Sequence, residues 1–333
     1  MHIVQRRGGH VETRTPVRAV AVIDGEIALE WGPDIRSPWR SAAKPFQLFA
    51  SLEALGDPEL DSVEVALGAS SHAGQPDHVS RLRQLQRRLG VPEDALLCGA
   101  EPPLHAPSWE AALRAGGGPL PIYNDCSGKH TFFAAASAAR GWDSDYRGPD
   151  HPLQARVHAL VEALAEEEVG RAVDGCGVPV MCLSVTGMAR AWGWLASAMA
   201  RAGDPWAEGG GDGGVERDLA RAARIGWAMA RHPWWTSGDG RLDLDVSCGA
   251  RLPMVGKIGA QGVFCIAVPS HRMGVAVKTL SGDEPSLGVA VAAVLAELLP
   301  LGWSAPDPWP WAVVRNVVGD IVGDRLAEAG LGV

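Results

Sequence analysis

The stretch Arg40-Ser41-Ala42-Ala43-Lys44-Pro45-Phe46-Gln47 begins the helix around which we expect the chain to fold. The apolar residues that follow at helical spacing are Phe46, Leu48, Phe49, Leu52 and Leu55. Proline is tolerated only in a first helical turn, so Pro45 places the start of the helix near Ser41. Because residues three apart share a helix face, we expect Lys44 beside the Ser41 hydroxyl.

A serine next to a lysine is suited to nucleophilic catalysis. The hydroxyl is a weak nucleophile at neutral pH, and a lysine whose pKa is lowered by burial or by a second cation can take its proton. Serine hydrolases with a Ser-x-x-Lys motif work in this way. The alternative is an N-cap serine followed by a surface lysine. Because the motif is common by chance, it does not decide between the two by itself.

Composition and charge exclude several classes of protein. The 333 residues suffice for a sizeable core, and 47% hydrophobic with 21% charged residues is an ordinary globular balance. The net charge of −9 argues against a general nucleic-acid surface and favours a small-molecule partner. The first ten residues lack the apolar core of a secretory signal, and no uncharged apolar run reaches about 18 residues. We therefore expect a cytoplasmic protein with no membrane partner.

The chain shows no repeat and no clear internal boundary, so we treat residues 1–333 as a single domain. Asp24-Gly25 is a strong hairpin signal between two strand-like runs at 17–23 and 26–31. A second hairpin is predicted over 263–280, and helices are predicted over 77–89, 108–114, 131–140, 152–169, 184–202, 215–231 and 287–299. Strands at both ends with helices between them predict an α/β fold with a mostly antiparallel sheet flanked by helices. The glycine-rich run 209–214 is expected to be a flexible loop, and the sequence does not say whether it covers a site.

Ser71 and Lys257 form a second candidate pair. The small residues of Ala69-Ser70-Ser71-His72-Ala73-Gly74 predict a tight turn that exposes Ser71 and His72. Lys257 stands next to Gly256, and on an edge strand it would face the Ser41 helix, as the Lys-Thr-Gly strand of penicillin-recognising hydrolases does. The two residues are far apart in sequence, so only the fold can join them.

Cys126, Lys129 and Cys176 are candidates for a metal site. Without a secretory signal, the six cysteines are expected to be reduced thiols or metal ligands. Cys126 and Lys129 share a helical spacing, and two thiolates with a further donor can hold zinc at about 2.3 Å for each Zn–S bond. The alternative is two buried apolar cysteines, because no CxxC pair is present. The sequence does not decide whether His72 and His130 have a functional role or are hydrogen-bonded structural imidazoles.

Taken together, five blocks resemble the asparaginase II family, the Rhizobium etli type of L-asparaginase. The blocks, in the order of the family, are Arg40-Ser41-Ala42-Ala43-Lys44-Pro45-Phe46-Gln47, Ala69-Ser70-Ser71-His72, Cys126-Ser127-Gly128-Lys129-His130, Asp174-Gly175-Cys176-Gly177-Val178-Pro179 and Gly256-Lys257-Ile258-Gly259-Ala260. The resemblance covers residues 4–280. It implies a fold similar to serine β-lactamases and glutaminases, a homodimer, and hydrolysis of L-asparagine to L-aspartate and ammonia.

The resemblance also implies residue roles. Ser41 corresponds to the nucleophile with Lys44 as its base, and Ser71 with Lys257 to a second Ser-Lys pair. The implied zinc site, which assists substrate binding without being strictly required, consists of Cys126, Lys129 and Cys176. The implied substrate-binding residues are Arg40, His72, His130 and Asp174. In such a site a free amino acid needs a cation for its carboxylate and an anion for its ammonium group, charges that Arg40 and Asp174 offer.

Several departures from the family pattern put the substrate in question. Gln261 stands where the family has a glutamate, Asp125 stands where it has an asparagine, and Thr131-Phe132-Phe133 is bulkier than the usual small stretch. Two alternatives follow. The protein is a hydrolase or acyl-transfer enzyme for a different small amide, or a zinc-bearing binding protein that has lost turnover.

Overall fold

The computed structural model describes residues 1–208, 214–300 and 302–329. The predicted 209–214 loop lies, apart from its last residue, outside the described residues. The strands are β1 (His2–Arg7), β2 (His10–Ile23), β3 (Glu26–Trp31), β4 (Arg36–Pro38), β5 (Gly170–Val173), β6 (Pro179–Ser184), β7 (Val255–Gly259), β8 (Val263–Val268), β9 (Met273–Thr279), β10 (Val313–Arg315) and β11 (Ile321–Glu328). The helices are α1 (Lys44–Leu55), α2 (Ser62–Gly68), α3 (Pro76–Leu89), α4 (Ala106–Arg114), α5 (Ser127–Arg140), α6 (Pro152–Ala165), α7 (Val185–Ala202), α8 (Arg217–Arg231), α9 (Pro233–Thr236), α10 (Leu242–Cys248) and α11 (Glu284–Leu298).

The main sheet is antiparallel at every described pairing. Its order is β10-β11-β1-β2-β9-β8-β7, and β3 pairs with the second half of β2. Asp24 and Gly25 have φ values of 51° and 89°, as the predicted two-residue hairpin turn requires. Strand β7 lies at the end of this order, so the predicted edge position of Lys257 is confirmed. A second, three-stranded sheet in the order β4-β6-β5 was not predicted.

The two faces of the main sheet are covered by different helices. Along β2, Val20 and Val22 point into a core with helices α1 and α7, whereas Ala19 and Ala21 point into a core with helix α11. This alternation follows from the period of two along a strand. The mixed α/β class and the antiparallel sheet flanked by helices are therefore confirmed.

The Ser41 segment differs in detail from the prediction. Residues Arg40–Ala43 form a 3-10 turn, and α1 begins only at Lys44, with Pro45 in its first turn as expected. The helix predicted over 152–169 ends at Ala165, where Glu166 takes a left-handed conformation with a φ of 56°. Within the described residues, no helix combines the length and the apolar character needed to cross a membrane.

Candidate active site

A cavity of about 300 Å³ opens beside the 3-10 turn that precedes α1. Its volume lies at the lower end of the range for small-molecule sites. The residues that line it are Ser41, Ser71, Leu104, Asp125, Arg241, Ile258, Gly259, Ala260, Gln261, Gly262, Gly282, Glu284 and Leu287. The fold thus brings the two predicted serines, 30 residues apart in sequence, to one small cavity.

Backbone geometry holds Ser41 at the cavity wall. The residue before it, Arg40, has a φ of 54°, a left-handed conformation that residues other than glycine seldom adopt. On the opposite side, a Cβ atom on Gly259 would lie 2.5 Å from the backbone oxygen of Trp39. Only a glycine at 259 allows strand β7 to approach the turn this closely. Strained backbone of this kind occurs preferentially at functional sites.

Lys44 is paired with Ser71 and not with Ser41. Its Nζ donates a hydrogen bond to Ser71 Oγ at 2.7 Å, and both residues are buried. Ser41 is half-buried at the cavity, and among the described residues no hydrogen bond joins its side chain to another group. The expected hydrogen bond between Ser41 and Lys44 is not found among the described residues, because Lys44 Nζ donates to Ser71 Oγ and to the Asp125 carbonyl instead. The two residues are linked instead by a backbone bond from the Lys44 N–H to the Ser41 carbonyl.

Lys257 is paired with a carboxylate that the sequence analysis did not single out. Its Nζ donates to Asp243 Oδ2 at 3.0 Å, and the Ile258 N–H donates to Asp243 Oδ1 at 3.0 Å. Burial lowers the pKa of Lys257, and the charge of Asp243 opposes this effect. In the described part of the chain no hydrogen bond joins Lys257 to Ser71, its predicted partner in the second Ser-Lys pair. A buried lysine requires a partner, but the sequence gives no means of choosing Asp243 among 39 acidic residues.

A second carboxylate at the cavity is Asp125, which stands where the family has an asparagine. Its Oδ2 lies 3.5 Å from Lys44 Nζ, and its side chain lines the cavity. Burial raises the pKa of this carboxyl group, but Lys44 and the other cationic groups around it outweigh burial and lower the pKa overall. Gln261 lines the same cavity. The cavity therefore keeps an ionised carboxylate even though position 261 carries none.

The turn that holds Ser71 and His72 does not expose them, contrary to the prediction. Ser71 is 1% exposed and His72 is fully buried. The Gly74 N–H donates to His72 Nδ1 at 3.1 Å, and His72 Nε2 lies 2.8 Å from Ser127 Oγ, whose own proton goes to the Ile122 carbonyl. Both ring nitrogens are thus engaged. Burial, together with the nearby His78, lowers the pKa of His72 to about 3, so the ring is neutral at pH 7.

Arg40 and Asp174, the residues predicted to bind the charged groups of an amino acid, form an ion pair with each other. Arg40 Nε donates to Asp174 Oδ1 at 2.6 Å, and Asp174 Oδ2 lies 3.8 Å from Lys129 Nζ. Neither Arg40 nor Asp174 is among the residues that line the serine cavity. In contrast, Arg241 and Glu284 line it, and neither was singled out from the sequence.

Cys126, Lys129 and Cys176 come together behind the cavity, next to His130. All four are buried. Interaction with Cys126, together with Lys129 and His130, lowers the pKa of Cys176, and the interaction between the two thiols raises the pKa of Cys126. Burial lowers the pKa of Lys129, but the thiols and Asp174 outweigh it, so that the pKa is raised overall.

Two buried atoms of this cluster are candidates for contact with a metal ion. Lys129 Nζ and His130 Nε2 are buried without a hydrogen-bond partner among the described residues. Tyr146 OH donates to the Ala95 carbonyl, so the 3.0 Å contact with His130 Nδ1 makes that ring nitrogen the donor and leaves Nε2 with a free lone pair. No group of three or more His, Cys, Asp and Glu side chains among the described residues is arranged to hold a metal. A metal ion here would therefore need the Lys129 amine as a ligand.

Comparison with solved structures finds distant similarity. Mglu in its native form is 16% identical with a TM-score of 0.44, covering 88% of this chain and 66% of its own, so the chain spans about two thirds of the length of Mglu. A putative beta-lactamase from Bacteroides dorei DSM 17855 is 11% identical with a TM-score of 0.46, covering 86% of this chain and 93% of its own. SurE with D-Leu is 14% identical with a TM-score of 0.41, covering 94% and 83% of the two chains.

Comparison with sequences gives a clearer result. No curated protein matches the chain. The family model described as L-asparaginase II matches residues 3–325, which is nearly the whole chain. The predicted family is therefore confirmed. The chain belongs to the L-asparaginase II family.

Proposed function

We propose that the protein hydrolyses the side-chain amide of L-asparagine to L-aspartate and ammonia through an acyl-enzyme on Ser41. One observation carries the proposal. The half-buried, unpaired hydroxyl of Ser41 shares a cavity with Ser71, whose oxygen lies 2.7 Å from the buried amine of Lys44. Ser41 is the better nucleophile of the two serines because a substrate can reach it, whereas Ser71 is 1% exposed.

The steps follow from this arrangement. Ser41 Oγ attacks the amide carbon as its proton passes to Ser71 and the Ser71 proton passes to the Lys44 amine, a step that requires the amine in its unprotonated form. The C–N bond breaks, the leaving nitrogen takes the proton, and ammonia departs from an ester on Ser41. Water then attacks the ester and gives one proton to the same relay. The relay returns that proton to Ser41 Oγ as the ester bond breaks, and the product leaves as the carboxylic acid. Lys257, held by Asp243, contributes positive charge near the developing oxyanion.

Zinc is part of the proposal because the cluster behind the cavity has donors without partners. Cys126, Lys129 and Cys176 would hold the ion, with His130 adjacent to it. Metal ligands must be deprotonated, so binding would release protons from Lys129 and from Cys126. A bound zinc ion would supply positive charge that favours an anionic substrate. The cytoplasmic location and the homodimer stay predictions.

A different small amide is the second candidate substrate. The observation that favours it is the pair Asp125 and Gln261, both of which line the cavity and both of which depart from the pattern expected for the family. The cavity then carries its carboxylate at residue 125 and a neutral amide at residue 261, so its charges are placed for another amide or for acyl transfer to an acceptor other than water.

Ammonia release from a panel of amides tests the proposal. We expect L-asparagine to be the best substrate, and Ser41→Ala to lower the rate at least about 10³-fold. Ser270→Ala, which removes an exposed hydroxyl, serves as the matched control and should keep the wild-type rate. A better amide than L-asparagine would support the second candidate. A Ser41→Ala chain as active as the wild type would reject the mechanism, and a wild-type chain that binds zinc and amides without releasing ammonia would support the binding protein.

A further inference from the structure

Arg241 is a cation without a partner at the edge of the serine cavity. It lines the cavity, and its Nε atom is buried with no hydrogen-bond partner among the described residues. No ion pair or side-chain hydrogen bond within the described part of the chain involves its guanidinium group. A buried guanidinium nitrogen without a partner is costly, so its position calls for a ligand.

The carboxylates of the cavity do not neutralise Arg241. Asp125 is engaged by Lys44, which lies 3.5 Å from its Oδ2. Glu284 is close enough for Arg241 to lower its pKa, but burial has the larger effect and raises that pKa. Neither carboxylate lies within ion-pair distance of Arg241. The cavity therefore presents an unpaired guanidinium group on the wall that also carries Ser41 and Ser71.

The segment that carries Arg241 is anchored. Arg241 directly precedes α10, and two residues later Asp243 is fixed by hydrogen bonds from Lys257 and from the Ile258 N–H. This anchoring holds the backbone of residue 241 against strand β7. A guanidinium group on an anchored backbone is preorganised for a planar anion, which it can bind through two parallel hydrogen bonds.

We propose that Arg241 binds the carboxylate of the substrate and restricts the site to small amides that carry one. The inference rests on the proposed function for the reacting amide and adds the group that orients it. It also replaces Arg40 in the role that the sequence suggested, because Arg40 is already paired with Asp174. Arg241 is a binding residue in this account and exchanges no proton with the substrate.

Binding to the full chain with Ser41→Ala, which prevents turnover, tests the proposal. Three probes differ by one group each: L-asparagine, succinamate, which lacks its amine, and β-alaninamide, which lacks its carboxylate. Adding Arg241→Gln should weaken L-asparagine and succinamate about 100-fold in Kd, measured by calorimetry. It should change the Kd of β-alaninamide by less than about threefold. Arg251→Gln, which removes an exposed arginine outside the cavity, is the matched control and should change none of the three.

Several results would overturn the inference. One is an unchanged Kd for L-asparagine and succinamate in Arg241→Gln, and another is a loss of affinity for β-alaninamide as large as that for the carboxylate probes. The others are a loss of affinity in Arg251→Gln as large as in Arg241→Gln, and a failure of both carboxylate probes to bind before Arg241 is changed. Should Arg241→Gln fail to fold, Arg241→Lys keeps the charge and should weaken the carboxylate probes about tenfold because the paired geometry is lost. An unchanged Kd in that variant would also overturn the inference. If the probes bind through Arg241 but the wild-type chain releases no ammonia from any amide, the proposed function fails and the inference stands.

Discussion

Buried lysines lie next to residues that line the serine cavity and also within the thiol cluster, and the surroundings of these lysines differ. The chain has four lysines, Lys44, Lys129, Lys257 and Lys278, and all four are buried, so that its exposed cations are arginines and histidines. At the cavity, Lys44 contacts a hydroxyl and Lys257 contacts a carboxylate. In the cluster, Lys129 lies among thiols and has no hydrogen-bond partner in the described part of the chain.

The difference between these lysines indicates which chemistry each region is suited to. The lysines of the cavity have their hydrogen bonds in place before a substrate arrives, as a proton relay requires. The pKa of Lys257 is lowered by burial, whereas the pKa of Lys129 is raised because two thiols and Asp174 outweigh burial. Lys129 is thus held as a cation by neighbours that also bind soft metals. The first region is therefore suited to proton transfer, and the second is where we propose that an ion takes the place of protons.

The largest effect should come from the lysine of the relay. We expect Lys44→Met to lower kcat for amide hydrolysis about 10³-fold, because the group that accepts the serine proton is removed. The comparison variant, Lys129→Met, should act mainly on KM. Steady-state ammonia release by both variants separates the two regions. Equal losses of kcat in the two variants would show that they act as one unit.

The next largest effect concerns the Lys257–Asp243 pair. Asp243→Ala should lower the free energy of unfolding by about 3–5 kcal/mol, because it leaves the buried Lys257 charge without a partner. The double variant Asp243→Ala/Lys257→Met should recover most of this loss. Urea unfolding measures both. A single variant within about 1 kcal/mol of the wild type would mean that the pair is not coupled as described.

A smaller effect is expected in the thiol cluster. Cys176→Ala should weaken zinc binding at least about tenfold and should raise KM more than it lowers kcat, because the site assists binding and takes no part in the proton relay. Cys248→Ala, which removes an exposed thiol, is the matched control. Zinc content after dialysis, measured beside kcat and KM, checks the prediction. An unchanged zinc content in Cys176→Ala would reject the metal assignment.

The last prediction is a pH dependence of stability that comes from the buried His72, which directly follows Ser71 in the chain. The pKa of His72 is about 3 in the folded chain and about 6.5 in the unfolded chain. The unfolded state therefore binds more protons between these values, and stability is lost as the pH falls from about 6.5 towards 3. We expect His72→Gln to reduce this slope by about 1.4 kcal/mol per pH unit between pH 6 and 4.

Unfolding free energies measured at several pH values, with the exposed His271→Gln as control, check this slope. A His72→Gln chain with the wild-type slope would show that the ring is protonated in the folded state or accessible to solvent.

Local signals in the sequence determine much of the fold. The hairpin at Asp24-Gly25, the first-turn Pro45 and most helices were predictable because turn chemistry and apolar periodicity act over a few residues. Strands β1 and β11 and the small β4-β6-β5 sheet were not predicted. The pairing of β1 with β11 and of β4 with β6 joins segments far apart in sequence. Strands β1 and β5 also form hairpins with β2 and β6, but β1, β5 and β11 are short or half-exposed and carry weak signals.

The site was predictable in its residue types but not in its pairs. Motifs indicated Ser41, Lys44, Ser71 and Lys257, yet the fold decides that Lys44 meets Ser71 and that Lys257 meets Asp243. Arg40 contacts Asp174, the carboxylate with which it was expected to share a substrate, and Arg241 had no motif to mark it. Such pairings depend on tertiary distances that spacing along one helix does not contain.

The most direct test of the account is to identify the serine that carries the acyl group. The wild-type chain is mixed with L-asparagine, quenched in acid during turnover and digested, and the peptides containing residues 41 and 71 are analysed by mass spectrometry. The account predicts an aspartyl ester on Ser41 and none on Ser71. An ester on Ser71, or ammonia release with neither serine modified and with Ser41→Ala fully active, would contradict it.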